Sequence, residues 1–148
     1  VVPSGYKEYR DDLFAAAVPA AWTQDTEDAP DDIVFQDPGA NTRRGISLQK
    51  VSGTTGNEAA HLAQAEQSMR TEYENYRRLS FDDSLPYLGR TAAQFEFSFT
   101  RDGVGGRART RLISFRGSLY IIVMVARADL WSQSTPMFDT FLRTFRQS

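Results

Sequence analysis

The longest apolar run in the chain, LYIIVMVA at residues 119–126, is the feature that most constrains the fold. It is far shorter than the roughly 20 residues that a membrane-spanning helix needs. Its length suits a β-strand, and it shows no alternation of apolar and polar residues. A strand without alternation is typically buried on both faces. We therefore expect this segment to be a central strand with cover on each side of its sheet.

Two segments upstream of this run predict the strands beside it. Residues 93–99 alternate apolar with polar side chains, which is typical of a strand with one buried face. Residues 102–106, with the sequence DGVGG, predict a flexible hairpin loop, and residues 107–116 predict the returning strand. Gly117 and Ser118 then predict a tight turn into the apolar run, so we expect an antiparallel meander.

The first third of the chain predicts further short strands. Residues 6–18 hold one or two, and these end at Pro19 because proline cannot donate a hydrogen bond to a sheet. Ile33–Phe35 and residues 44–51 predict a strand pair joined by a turn. The acidic stretch at residues 23–32 predicts a solvated loop before that pair.

Two segments have helical periodicity. Residues 55–58 match a capping box, and the helix after them is predicted to run for about 20 residues and to end before Ser80. Its apolar face comprises Leu62, Ala65, Met69, Tyr73 and Tyr76. A second helix is predicted near the C-terminus, with Thr135 as its cap and Pro136 at its first position. Its apolar face comprises Phe138, Phe141, Leu142 and Phe145.

This order of elements predicts an α+β domain. We expect an antiparallel sheet of about six strands, with one long central helix and a C-terminal helix packed on it. No linker or repeat divides the chain, and 148 residues suffice for one core, so residues 1–148 are predicted to form a single domain. The net charge of −2 gives no reason to expect nucleic acid or an anionic membrane as a partner.

Residues that carry catalysis or bind metals are sparse. The chain has no cysteine, which excludes disulfides, thiolate zinc sites and a cysteine nucleophile. His61 is the only histidine, and no nucleophile is tied to it, so we expect a surface or boundary residue. Acids at residues 28–32 and 82–83 lack the spacing of a calcium-binding EF-hand and are interpreted as loop residues, with an all-oxygen calcium site as the alternative. We predict no catalytic residue, no metal and no cofactor.

Three arginines form the one suggestive pattern. Arg107, Arg109 and Arg111 recur with period two, so a strand would place all three on one face. Arg101 on the preceding strand joins these three as a candidate ligand-binding residue, and Arg43 and Arg44 are further candidates to extend the patch. Guanidinium groups bind phosphate and carboxylate bidentately, so an acidic ligand is one interpretation. The alternative is a solvated edge that discourages aggregation.

The two tryptophans also allow two interpretations. An exposed indole ring at Trp22 or Trp131 would provide a stacking surface for a carbohydrate or a peptide, and Trp131 is included among the candidate ligand-binding residues. The alternative for both is core packing near the two ends of the chain, where one buried tryptophan hides enough area to fix a terminal segment.

Several short motifs occur in a familiar order. They are Val-Pro-x-x-Trp at residues 18–22, Phe-x-Asp-Pro at 35–38, tyrosines at 73 and 76, Gly-Arg-x-Ala-Ala-x-Phe-Glu at 89–96, a glycine hairpin with arginines at 105–111, Gly-x-x-Tyr at 117–120, Trp131, and Thr-Phe-Arg at 144–146. In these motifs the chain resembles the PsbP-like fold family. More closely, it resembles the C-terminal domains of membrane-anchored actinobacterial Ser/Thr protein kinases.

The resemblance implies a non-catalytic domain on the outer side of the cell membrane, which binds an extracellular ligand or protein, or self-associates, on behalf of a receptor-type kinase. No kinase signature occurs in this sequence, neither the glycine-rich loop nor the His-Arg-Asp and Asp-Phe-Gly motifs. Any membrane anchor would lie upstream of this sequence. A free-standing secreted or lipid-anchored accessory protein is the second hypothesis. A hydrolase with an unrecognised site is the third.

Overall fold

The computed structural model describes residues 2–12, 14–27, 31–39, 41–52, 58–115 and 117–147. Within these residues, the strands are β1 (Tyr6–Arg10), β2 (Phe14–Pro19), β3 (Thr23–Asp25), β4 (Asp32–Gln36), β5 (Gly45–Ser52), β6 (Glu74–Tyr87), β7 (Arg90–Arg101), β8 (Val104–Phe115), β9 (Ser118–Arg127) and β10 (Arg146–Gln147). The α-helices are α1 (Glu58–Glu72) and α2 (Trp131–Thr144), and a short 3₁₀ turn, Ala128–Leu130, precedes α2.

Seven strands form the larger of two antiparallel sheets, in the order β3-β4-β5-β9-β8-β7-β6. The apolar run lies in β9, which is the middle strand of this sheet, so the prediction of a central strand is confirmed. A smaller sheet has the order β1-β2-β10. The α+β class is therefore confirmed, although the strands outnumber the roughly six expected from the pattern of elements.

Buried side chains lie on both faces of the larger sheet. On one face, α2 and the smaller sheet cover a core that includes Phe14, Phe35 and Met124. On the other face, α1 covers β6, β7 and β8, and Leu62 packs there among the phenylalanines of β7. A helix about 10 Å wide covers only two or three strands spaced about 4.8 Å apart. Leu119 at the start of β9 still lies in this core, and Val51 and Ile121 pack against it, whereas the part of the face around Val34, Ser47 and Val123 lies beyond α1.

The two ends of the described chain meet in the smaller sheet. Strand β10 pairs with β2. The ring of Phe145 stacks on that of Phe14 with 5.0 Å between centroids, and the backbone N–H of Ala17 donates to the Thr144 hydroxyl at 2.8 Å. Pro19 is the last residue of β2, where sequence analysis placed the end of the strand.

The first helix is shorter than predicted. Helix α1 ends at Glu72, and the edge strand β6 begins at Glu74, with its second residue, Asn75, at φ +53°. Tyr73 and Tyr76 follow the helix rather than extending its face, yet both rings pack on Phe97, at 5.6 and 4.9 Å. They satisfied the helical spacing because both reach the same apolar surface from outside the helix. The capping box at residues 55–58 falls largely outside the described residues.

The second helix is longer than predicted. Helix α2 begins at Trp131, so Pro136 lies inside it and Thr135 is not its cap. Proline has no N–H to donate to the carbonyl four residues earlier, which belongs to Ser132. The Thr135 hydroxyl donates to that carbonyl at 3.2 Å. Thr135 and Pro136 were interpreted as the start of the helix, but they lie inside it. The Thr135 hydroxyl supplies the hydrogen bond to Ser132 that Pro136 cannot donate.

The predicted flexible loop at residues 102–106 is a tight turn. Asp102 and Gly103 both have positive φ, +52° and +74°, as a two-residue type I′ hairpin requires. The glycines after it belong to β8. A Cβ on Gly106 would lie 2.5 Å from the tip of the Phe99 ring, so this glycine makes room for an aromatic side chain on β7.

Candidate functional site

The side chains of Arg107, Arg109 and Arg111, called here the arginine row, lie on one face of β8 as their spacing predicts. Their neighbours Ala108 and Leu112 belong to the core beneath α1, so the row faces the opposite way, toward α2. Strand β7 places Glu96 directly beside Arg109 in the sheet register. The row is therefore built from one sheet face and the helix above it, away from the hairpin tip.

Carboxylates neutralise the first two arginines of the row. Arg109 Nε lies 3.0 Å from Glu96 Oε2, and Arg109 Nη1 lies 2.9 Å from Asp139 Oδ1 on α2. Arg107 Nη2 lies 3.3 Å from Glu96 Oε1. The Arg109 side chain is 13% exposed and that of Arg107 is 33% exposed, so Arg109 is the more enclosed of the two. Two carboxylates thus balance two guanidinium groups.

The buried ring of Trp131 packs against one end of the arginine row. Its side chain is only 6% exposed, and its ring lies 5.5 Å from that of Phe138. The guanidinium carbons of Arg107 and Arg109 lie 5.0 and 5.9 Å from its ring, within the range of cation–π attraction. Trp22 is 4% exposed. Both tryptophans therefore pack in the core, and the ring of Trp131 is already covered by arginines.

Arg111 is held differently from its neighbours in the row. Its Nε donates to Gln94 Oε1 at 2.8 Å, and its guanidinium lies 4.6 Å from the ring centre of Tyr87. Burial lowers the pKa of Arg111, since desolvation disfavours the charged form. Tyr87 in turn donates its hydroxyl to the carbonyl of Leu142 at 2.8 Å. Arg111 therefore stacks on a ring that is itself fixed by α2.

The structure does not bring Arg101 together with the arginine row. Arg101 lies on the other face of the sheet, where its guanidinium is 5.0 Å from the ring centre of Tyr73. Arg44 is also occupied elsewhere, with Nη2 2.9 Å from Asp37 Oδ2 and Nη1 donating to the Ser134 hydroxyl at 3.1 Å. Burial would raise the pKa of Asp37, but hydrogen bonds from the Gly39 N–H and from Arg44 outweigh it and lower that pKa.

A groove lies on the part of the larger sheet, around Val34, Ser47 and Val123, that α1 does not cover. Its volume is about 400 Å³, and we call it the open groove. Val34, Ser47 and Val123 form its floor as one row across β4, β5 and β9, since Val34 pairs with Ser47 and Ser47 pairs with Val123. Arg43 and Arg101 lie at one end. Its volume falls in the range of roughly 300–1,000 Å³ that is typical of small-molecule sites.

Sequence analysis missed the open groove as a site. The pattern of arginines predicted Arg43 and Arg101 as extensions of the arginine row, and the apolar run predicted a strand covered on both faces, which the structure contradicts. One signal was present, because the sequence contains only one long helix before the meander, and one helix cannot cover a face of seven strands. Val123 and Val125 are accordingly only half-buried, whereas Ile122 and Met124 on the opposite face are fully buried.

A second feature that sequence analysis missed is the buried carboxylate of Glu66 on α1. It accepts hydrogen bonds from two nitrogens of Arg78, one at 2.6 Å, and from the Tyr76 hydroxyl at 2.8 Å. The hydrogen bonds from Arg78 lower the pKa of Glu66, more than offsetting desolvation, and the bond from Tyr76 adds to them. Its contacts favour the ionised carboxylate, which is opposite to the perturbation that makes a general acid at neutral pH.

The remaining candidate residues have ordinary surroundings. His61 is half-buried on α1, and Asp82 and Asp83 are exposed on β6. Asp31 and Asp32 are exposed, whereas Asp28 falls outside the described residues. In the part of the chain that the structure describes, no three histidine, aspartate or glutamate side chains converge as a metal site requires. Neither described helix has both the length and the apolarity needed to cross a membrane.

Known structures share this architecture, a PsbP-like α+β sheet with two covering helices. PsbP (CyanoP) from Synechocystis sp. PCC 6803 superposes with a TM-score of 0.73 at 15% identity, covering 100% of this chain and 95% of the other. LpqN of Mycobacterium tuberculosis, described as involved in cell envelope biogenesis, gives a TM-score of 0.63 at 17% identity, with 97% and 90% coverage. The Saccharomyces cerevisiae Ran-binding protein Mog1p gives 0.62 at 11% identity, with 95% and 94% coverage.

The sequence itself defines the family more narrowly. Residues 8–147 match the family described as serine/threonine kinase C-terminal domain. The chain belongs to this family, and it is a non-catalytic accessory domain by that membership. The expected resemblance to PsbP-like proteins and kinase C-terminal domains is therefore confirmed. A comparison with curated proteins found no match.

Proposed function

We propose that this chain is the extracytoplasmic sensor domain of a receptor-type Ser/Thr protein kinase, and that it binds a ligand or a protein outside the cell. The observation that carries this proposal is the match of residues 8–147 to the kinase C-terminal domain family. The PsbP-like fold also occurs in LpqN, which is described as involved in cell envelope biogenesis. A binding role agrees with a fold that leaves a groove open on one sheet face beside Arg43 and Arg101.

Location is tested by labelling the parent protein in intact cells. Because this chain has no cysteine, Gln67→Cys on the exposed side of α1 introduces a single thiol into the domain. A membrane-impermeant maleimide should label this variant in intact cells. Ala93→Cys, at a fully buried position, is the matched control and should react only after denaturation. Labelling of Gln67→Cys only after permeabilisation would place the domain inside the cell and contradict the proposal.

The link to the kinase is tested on the full-length protein. Removal of residues 1–148 should leave the phosphotransfer activity of the purified kinase region intact, because none of the kinase signatures lies in this chain. The same deletion should abolish any change in autophosphorylation that an external ligand causes in cells. Loss of basal phosphotransfer on deletion would contradict a non-catalytic role.

A free-standing accessory protein is the alternative. It is favoured by one observation, that the fold fills 95% of the solved CyanoP chain and 90% of the solved LpqN chain. The residues upstream of Val1 distinguish the two. A hydrophobic span of about 20 residues preceded by kinase signatures supports the receptor, whereas a signal peptide with a lipidated cysteine supports the accessory protein.

A hydrolase is the least supported candidate. The buried or half-buried carboxylates of Glu66, Glu96 and Asp37 are each engaged by arginine. The pKa values of Glu66 and Asp37 are lowered. A glycosidase needs one carboxyl group whose pKa is raised so that it can donate a proton. The pKa values of Glu66 and Asp37 are shifted in the opposite direction.

A further inference from the structure

We propose that the open groove binds an aliphatic monocarboxylate, with the carboxylate between Arg43 and Arg101 and the hydrocarbon chain along Val34, Val123 and Val125. This proposal names a ligand class for the binding function proposed above, and its biological relevance rests on that function. It assigns that function to the open groove rather than to the arginine row.

The floor of the open groove suits a hydrocarbon chain. Val34, Val123 and Val125 are half-buried, so each leaves apolar surface in water that a ligand would cover. Between them Gly45 and Ser47 have small side chains or none, which gives the sheet a trough between its valines. Burying apolar surface contributes roughly 25 cal/mol per Å², so a chain in this trough gains affinity without further polar contacts.

The charged end of the open groove is already organised. Arg43 Nη1 donates to the backbone carbonyl of Arg101 at 2.8 Å, which holds the Arg43 side chain across the groove end. The guanidinium of Arg101 lies against Tyr73. Among the described residues, Arg101 makes no salt bridge, and Arg43 has only a long contact of 3.9 Å with the highly exposed Asp102. Both guanidinium groups therefore retain N–H donors for an anion.

The charge balance favours a monoanion. Three arginines and Asp102 line the groove, and Arg44 is paired with Asp37, so Arg43, Arg101 and Asp102 leave a formal charge of +1, from +2 and −1. A carboxylate carries a single negative charge and two oxygens that match the guanidinium fork. A phosphate dianion would bring a second negative charge close to Asp102. The arginine row is less suited to such a ligand, because Glu96 and Asp139 already occupy Arg107 and Arg109.

The test is titration of the 148-residue chain with decanoate, followed by amide NMR. We expect the amide chemical shifts of Val34, Ser47, Val123 and Val125 to change more than those of residues 107–111. Decanol and acetate should each bind at least tenfold more weakly than decanoate, since each lacks one half of the recognition. Decyl phosphate should bind more weakly than decanoate at pH 8. Tighter binding of decyl phosphate, or equal binding of decanol, would overturn the proposal.

Variants locate the site. Arg101→Gln should weaken decanoate binding by about tenfold or more, because a charge-assisted hydrogen bond is lost. Arg143→Gln, at an exposed position on α2, is the matched control and should have no effect. Ser47→Leu should fill the trough and abolish binding. Unchanged affinity in Arg101→Gln would overturn the assignment, and the ligand comparison on the unmodified chain decides the question even if a variant does not fold.

A membrane source of the carboxylate is tested separately. The chain should not co-sediment with phosphatidylcholine vesicles that contain oleic acid, since the open groove takes single molecules from solution. Sedimentation together with no response to free decanoate would overturn the proposal. A failed titration would leave the labelling experiment on the parent protein unaffected, so the groove ligand and the location of the domain can fail independently.

Discussion

Arg78 on the edge strand β6 holds the carboxylate of Glu66 on α1 through two of its nitrogens. Glu66 is 4% exposed and also accepts a hydrogen bond from Tyr76, so a buried charge on the helix is satisfied by groups that follow it in sequence. This contact joins α1 to the outermost strand of the larger sheet. It is the main polar link between those two elements in the described residues.

Loss of the Glu66 charge should destabilise the domain. Glu66→Gln removes a carboxylate that accepts three hydrogen bonds, and we expect a cost of about 1–2 kcal/mol in the free energy of unfolding, with allowance for the exposure of Arg78. Urea denaturation measures it. Glu72→Gln, at the exposed end of α1, is the control and should change stability by less than about 0.5 kcal/mol. Equal effects of the two variants would refute a structural role for Glu66.

Stability should fall on acidification. The folded state lowers the pKa of Glu66 and Asp37, so the folded chain binds fewer protons than the unfolded chain. Their contribution is complete above the unfolded values of about 4 and is lost as pH falls through the lower folded values. The stability difference between the wild type and Glu66→Gln should therefore shrink between pH 6 and pH 3. A difference that stays constant over this range would contradict the linkage.

The arginine row should respond unequally to substitution. Arg109 contacts two carboxylates and is the more enclosed, whereas Arg107 contacts one. We expect Arg109→Gln to cost about 1.5–3 kcal/mol and Arg107→Gln less than about 1 kcal/mol, since exposed ion pairs contribute little. Thermal or urea unfolding gives the comparison. If both substitutions were neutral, the row would be a free surface and its earlier interpretation as a ligand site would regain support.

The glycines of the β7–β8 hairpin should differ in tolerance. Gly103→Ala places a side chain at φ +74° and should cost about 1 kcal/mol. Gly106→Ala places a Cβ 2.5 Å from Phe99 and should cost about 1–3 kcal/mol through displacement of that ring. Gly105→Ala is the control, because its Cβ would meet only Ala128 at 3.7 Å. Equal melting temperatures for all three variants would contradict the structure of this hairpin.

The elements predicted most accurately were those whose periodicity has a single physical cause. The alternation at residues 93–99 arises because one face of β7 is buried. The apolar run is the central strand β9 as predicted, but the expected burial on both faces was wrong, since Ile121, Val123 and Val125 are only half-buried. Prediction failed where residues outside a helix fall by chance at helical spacing and pack on the same core. Tyr73 and Tyr76 extended the apparent face of α1, although they reach Phe97 from the turn and strand that follow it.

The site was harder to predict than the fold, because its chemistry depends on which helix packs against each face of the sheet. Period two correctly placed the arginine row on one side of β8. It could not show that Glu96 and Asp139 lie beside the row, since Asp139 comes from a helix distant in sequence. The open groove depends on where α1 stops covering the sheet. That boundary is a matter of tertiary packing and leaves no local mark on the sequence around Val34 or Ser47.

The pairing of β10 with β2 has a consequence for biosynthesis. Strand β2 leaves the ribosome well before the strand that completes its sheet and before the Phe145 ring that covers Phe14. A nascent chain must therefore carry an exposed apolar strand until translation of the domain is nearly finished. Closure of the smaller sheet is then a contact between distant parts of the chain, which makes it slow and dependent on emergence of β10 from the ribosome.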